Sequence, residues 1–161
     1  MNIIYYDGDA TEPVGEGAKI IAHVCNDIGG WGRGFVLAVS KKWPEPEAEY
    51  RKWAARAKQC LGEVQFVGVA PGLCVANMIG QTGIHPKDGI PPIRYIALRQ
   101  CLKIVRLHAV EHRESVHMPR IGSRLAGGNW EMIEKIITQE LRDIPVYVYN
   151  YHDTASPSYI P

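Results

Sequence analysis

Apolar positions in this chain fall into two patterns that alternate along it. Short continuous runs bounded by Gly, Pro or acidic residues predict strands over residues 2–6, 19–25, 63–69, 73–79, 115–118 and 146–149. Stripes of helical spacing lie between them. One helix is predicted over 33–41, ending near Trp43-Pro44 because proline disfavours helix in the residue before it. A second starts at about Pro46, with Tyr50, Trp53, Ala54 and Ala57 on one face. A third opens at Pro91-Pro92, with Pro92 in its first turn, and carries the stripe Leu98, Cys101, Leu102 and Val105 to about Ala109. In the last, Asn129 is the N-cap and Trp130, Ile133, Ile136, Ile137 and Leu141 share a face. Ala70-Pro71-Gly72 suits a tight turn and makes residues 63–79 a hairpin. The order predicts an α/β fold in which a mixed sheet carries helices on both faces. A single domain is expected over 1–161, with an irregular tail over 154–161.

The chemistry gathers where strands end. Asn26-Asp27-Ile28-Gly29-Gly30-Trp31-Gly32-Arg33-Gly34-Phe35 joins the buried run Ile20-Ile21-Ala22-His23-Val24 to the helix that begins Val36-Leu37-Ala38-Val39. Glycines let backbone N–H groups approach a ligand, and a helix N-terminus adds roughly half a positive charge, so the natural guest is a phosphate or diphosphate. No Gly-Lys-Ser/Thr closes the loop, which is therefore not a P-loop. Glu45 and Glu47, the acidic residues about 20 positions on, lie in a proline-rich turn, which speaks against a dinucleotide fingerprint. The strand, glycine loop and helix start recur at 115–130, through Pro119-Arg120-Ile121-Gly122-Ser123-Arg124-Leu125-Ala126-Gly127-Gly128. Asp9, in the turn Asp7-Gly8-Asp9-Ala10-Thr11, closes the first strand. Ligands of such sheets bind beyond the carboxyl ends of the strands, where Asp9, Asn26 and both glycine loops fall. The polar segment 80–89, with His85 and Asp88, is long enough to cover a site.

Composition narrows the partners. Lys and Arg number 18 against 17 Asp and Glu, so no global field favours duplex nucleic acid and any anion is bound locally. Cys25, Cys60, Cys74 and Cys101 lie far apart, mostly inside apolar runs, as reduced core cysteines do. His23 reads as a hydrogen-bonded core residue, and His108, His112, His117 and His152 lack metal-ligand spacing, so neither metal nor cofactor is expected. No basic n-region opens the chain and no apolar stretch approaches ~20 residues, so a cytoplasmic protein without a membrane partner is expected.

Taken together, Gly8-Asp9-Ala10-Thr11, Ala22-His23-Val24-Cys25-Asn26 with Gly32-Arg33-Gly34, and Met118-Pro119-Arg120-Ile121-Gly122 resemble a macro domain, the ADP-ribose-binding family. The resemblance runs nearly the whole chain and is closest to the small stand-alone branch with terminal ADP-ribose glycohydrolases and yeast-type ADP-ribose 1″-phosphate phosphatases. It implies a three-layer α/β/α sandwich with a mixed, mostly parallel sheet. It also implies that Asp9, with Ala10 beside it, accepts from the adenine amino group and that Asn26 holds the distal ribose. Gly32, Arg33, Gly34 and Phe35 on one side and Ile121, Gly122, Ser123, Arg124 and Leu125 on the other would clamp the diphosphate and ribose. Tyr149, Asn150 or Tyr151 would cover the adenine.

The chain departs from that branch where its glycohydrolases do their chemistry. Gln81 stands near the position of their lysine, Ala126 at that of their aspartate, and Arg124 where a glycine is usual. Asn26, Ser123 and His85 remain as catalytic candidates, with Arg124 and Asp88 beside them. The resemblance then implies a hydrolase that removes a phosphate, acyl or protein substituent from the distal ribose. The alternative is a module that binds ADP-ribose without turnover; a nucleic-acid or other nucleotide binder is the weaker third reading.

Overall fold

The computed structural model describes residues 3–123 and 125–151. Strands β1 (Ile3–Asp7), β2 (Lys19–Asn26), β3 (Val64–Ala70), β4 (Leu73–Gln81), β5 (Ser115–Met118) and β6 (Val146–Asn150) form one sheet in the order β1-β6-β5-β2-β4-β3. All neighbours pair in parallel except β3, which returns antiparallel on β4 after Pro71-Gly72. The expected tail over 154–161 lies outside the described residues.

A central strand buried on both faces reads as a continuous apolar run, and β2 is such a strand. Ile20 and Ala22 face one layer, where α3 (Tyr95–His112) contributes Leu98, Leu102 and Val105 and α4 (Trp130–Glu140) contributes Ile133 and Ile137. Ile21 and Cys25 face the other, with Val39 of α1 (Phe35–Lys42) and Tyr50 of α2 (Glu45–Arg56). Each fully buried aliphatic side chain stabilises the fold by about 1.5–3 kcal/mol. The expected three layers are therefore present, with the sheet between two helix pairs. The Asn129 side chain caps α4 by accepting from Met132 N at 3.1 Å, satisfying one of the helix's orphan donors.

Three local expectations need correction. Pro91 and Pro92 do not open α3, which starts at Tyr95. They belong to a non-helical strap whose backbone is bonded elsewhere: Thr82 N to Pro92 O, Ile93 N to Ala126 O and Arg94 N to Gly80 O. Ala57 lies beyond α2, exposed and extended at its C-cap. Cys60 is an exposed cysteine, while Cys25 and Cys101 are buried and Cys74 is half-buried.

Candidate functional site

Because β1, β2, β4, β5 and β6 run in parallel, Asp7, Asn26, Gln81, Met118 and Asn150 end at one edge of the sheet. The loops that leave this edge touch one another. Asp27 Oδ1 accepts from Gly83 N at 2.8 Å, so this turn carboxylate ties the first glycine loop to the strap 82–94. The strap reaches the second glycine loop through Ile93 N and Ala126 O, 3.0 Å apart. Lys42 at the end of α1 reaches Thr11 O at 3.1 Å and ties the Asp9 turn to the same side.

Within the first loop, β2 and β4 shift register between Cys25 and Asn26, a bulge of the kind that re-aims a side chain next to a site. The Asn26 side chain is 8% exposed and turned into its own loop. Its Nδ2 donates to Gly30 O at 2.8 Å, and its Oδ1 accepts from Gly30 N at 2.9 Å and Ile28 N at 3.1 Å. The Tyr50 hydroxyl donates to Asn26 O at 2.5 Å and lies 3.0 Å from Oδ1. Behind it, Trp31 Nε1 donates to Ser40 Oγ at 2.7 Å. Asn26 therefore shapes its own loop, and Tyr50, whose spacing marked it only as apolar, holds Asn26 in place while its ring packs on Trp31.

Gly32 and Arg33 are exposed, and Phe35 is half-buried with its ring centroid 5.7 Å from that of His23. Gly34 caps α1 at φ 81°, ψ −145°, a conformation open to glycine and costly for other residues. A Cβ there would stand 3.0 Å from Leu125 Cδ1, which brings the two glycine loops into contact. Leu125 is 54% exposed at that meeting point, while the Ile121 side chain is part of the core. Gly122 is half-buried, and Ser123 Oγ donates to Arg120 O at 2.8 Å. Arg124 lies outside the described residues.

At the other end, Asp9 Oδ1 accepts from Thr11 N at 2.8 Å and Thr11 Oγ1 at 2.7 Å, while Oδ2 takes no bond from the described residues. One carboxylate oxygen builds the turn and the other is left for a donor. Ala10 is buried beneath it. Of the three residues offered as an adenine cover, Tyr149 is 1% exposed. Its hydroxyl accepts from Val14 N at 2.9 Å and meets His117 Nδ1 at 2.7 Å, so the ring supports the loop after Asp9 from below. Asn150 remains part-exposed with its Oδ1 accepting from Arg120 Nε at 2.9 Å. Arg120, absent from the expected set, sits over Tyr5 and Trp130 at 5.3 and 5.1 Å and is a cation held at this edge. Its signal is the segment Pro119-Arg120-Ile121-Gly122, in which it directly precedes the isoleucine and glycine of the expected loop.

His85 and Asp88 are exposed on the strap, and neither side chain bonds a cleft residue among those described. Gln81 Nε2 donates to Gly83 O at 2.9 Å, so its amide serves the strap, and Ala126 is buried. His23 is a buried core residue, its Nε2 2.6 Å from Asn77 Oδ1, and burial lowers its pKa to about 4. Among the described residues no helix is long and apolar enough to cross a membrane.

No family model matches the chain. It is 58% identical to a Bacteroides thetaiotaomicron protein of unknown function, with a TM-score of 0.90, covering 92% of this chain and 98% of that one. It is 52% identical to a macrodomain protein from Streptomyces coelicolor, with a TM-score of 0.81, covering 93% of this chain and 99% of that one. Among curated relatives, chromodomain-helicase-DNA-binding protein 1-like from Mus musculus is 32% identical over 93% of this chain, and the chain spans 18% of that protein's length. An ADP-ribose 1″-phosphate phosphatase from Candida albicans is 26% identical, covering 91% of this chain and 98% of the phosphatase. With a half-identical macrodomain matched almost end to end, and the same layers and converging loops in the structure, the chain belongs to the macrodomain family.

Proposed function

We propose that the chain binds ADP-ribose along the carboxyl edge of its sheet and hydrolyses a substituent from the distal ribose. The observation that carries this reading is the pairing, on one edge, of the Asp9 carboxylate with the touching glycine loops and the N-terminus of α1. Asp9 Oδ2 would accept from the adenine amino group. Backbone N–H groups of 32–35 and 121–125, with the helix dipole, would hold the diphosphate. The distal ribose would then lie against the loop that Asn26 shapes, near Ser123.

In this arrangement the reaction is water plus ADP-ribose 1″-phosphate, an acyl-ADP-ribose or an ADP-ribosylated protein, giving ADP-ribose and the released group. The phosphatase name of the Candida relative supports the first of these substrates. Rate enhancement would come mainly from holding water and the ribose in line. Ser123 Oγ donates its proton to Arg120 O, so it would act toward that water or a ribose hydroxyl as an acceptor. His85 on the strap is the candidate proton carrier, since an imidazole can both accept and donate a proton.

A second reading, binding without turnover, has its own support. The amides of Asn26 and Gln81 are both taken up by their own loops, and Ala126 offers no acid or base. Calorimetric titration with ADP-ribose and ATP, followed by chromatography of the three classes of derivative, separates the readings. Hydrolysis reads out as ADP-ribose release by the wild type; tight ADP-ribose binding with no release from any derivative leaves the binding module. Equal affinity for ATP removes both.

A further inference from the structure

At the opposite edge, Cys74, His108 and Glu114 meet from three separate segments: the start of β4, the last turns of α3 and the residue before β5. The Glu114 carboxylate is 8% exposed. Its Oε1 lies 2.7 Å from His108 Nδ1, and its Oε2 accepts from Cys74 Sγ at 3.8 Å. The His108 ring is stacked between Phe66 and His112, with centroids 4.0 and 4.1 Å away, which fixes the direction of Nδ1. The three ligand atoms lie within 4.8 Å of one another.

We propose that Cys74, His108 and Glu114 form a binding site for a divalent metal ion of the zinc class. A thiolate, an imidazole and a carboxylate are the donor types zinc takes, and this mixture disfavours magnesium and calcium, which require all-oxygen shells. Bond lengths of roughly 2.0–2.3 Å at tetrahedral angles place such donors about 3.4–3.6 Å apart, so the carboxylate moves off His108 by less than an ångström. On binding, the thiol proton leaves to solvent as the metal–sulfur bond forms, and His108 binds through Nδ1 as the neutral imidazole with its proton on Nε2, so a proton on Nδ1 is lost from the imidazolium or exchanged for one on Nε2 from the neutral ring. A thiolate and a carboxylate then cancel the ion's two charges, which makes the site neutral where it is buried. Glu114 also lines a surface depression with Glu16, Arg113 and Asp143. The fourth position is left to water, since His112 Nδ1 is engaged by His108 O at 2.9 Å. Sequence spacing concealed this site, because its sulfur and its imidazole are brought together by the packing of α3 on β4.

Titration of the full chain with cobalt(II) tests the proposal. The wild type is expected to develop a thiolate-to-cobalt charge-transfer band and tetrahedral visible bands at one equivalent, both abolished by zinc. Cys74→Ala should lose the charge-transfer band, whereas Cys60→Ala, which removes the exposed thiol, should keep it. His108→Gln and Glu114→Gln should weaken zinc binding by more than the roughly 10–100-fold typical of outer-shell groups. Zinc should raise the melting temperature of the wild type and of Cys60→Ala only. Absence of the band in the wild type, or its persistence in Cys74→Ala, overturns the site, and the wild-type titration decides even if a variant does not fold.

Discussion

Replacement of Asn26 by Ala tests what that side chain does. Its amide, in a residue only 8% exposed, makes bonds to Gly30 O, Gly30 N and Ile28 N of its own loop. Each is worth about 1 kcal/mol net, and water entering the space left by the amide recovers part, so the expected loss is about 2–3 kcal/mol. For a chain of this size that corresponds to a melting temperature lower by roughly 4–12 °C. The loosened loop must then be reordered by each ligand, so ADP-ribose affinity should fall by roughly tenfold, about 1.4 kcal/mol, and turnover should fall with it. Calorimetry of unfolding and of ADP-ribose binding gives both quantities on one preparation. A variant with wild-type melting temperature and affinity but turnover reduced a hundredfold would refute the reasoning, since the amide would then act on substrate rather than on its own loop.

Gly34→Glu should abolish ADP-ribose binding, because it places a carboxylate against the diphosphate beside Leu125; Gly34→Ala should cost roughly 1–3 kcal/mol of stability from its backbone alone. Detectable ADP-ribose binding by a folded Gly34→Glu chain would move the diphosphate elsewhere. Asp9→Asn keeps an acceptor for Thr11 but presents an amide where Oδ2 stood, so ADP-ribose affinity should drop roughly tenfold or more with little change in melting temperature. Unchanged affinity in isothermal titration would take Asp9 out of the adenine site. His23 and His117 are buried with pKa lowered to about 4, chiefly by burial, so the unfolded chain, with ordinary values near 6.5, binds protons that the folded chain does not. Stability should therefore be full above pH 6.5 and fall as pH drops toward 4, by about 3 kcal/mol per histidine; a melting temperature flat between pH 6.5 and 5 would contradict this.

Strand runs at 19–25 and 73–79 and the helical stripes of Leu98, Leu102, Ile133 and Ile137 were legible in the sequence, because burial on both faces of a sheet and on one face of a helix imposes distinct periods. The glycine loops were legible too, since their place after a strand and before a helix is a local property. Local pattern could not determine where side chains spend their hydrogen bonds. The Asn26 amide bonds Gly30, the Tyr149 hydroxyl accepts from Val14, and Pro91 and Pro92, expected to open a helix, lie in a strap that bonds Thr82 and, through Ile93, Ala126. Each outcome was decided by a partner distant in sequence or by the geometry of a loop in its folded context. The meeting of Cys74, His108 and Glu114 has the same origin: hydrophobic periodicity specified α3 and β4 separately, and only their packing brought a thiol, an imidazole and a carboxylate within reach of one ion.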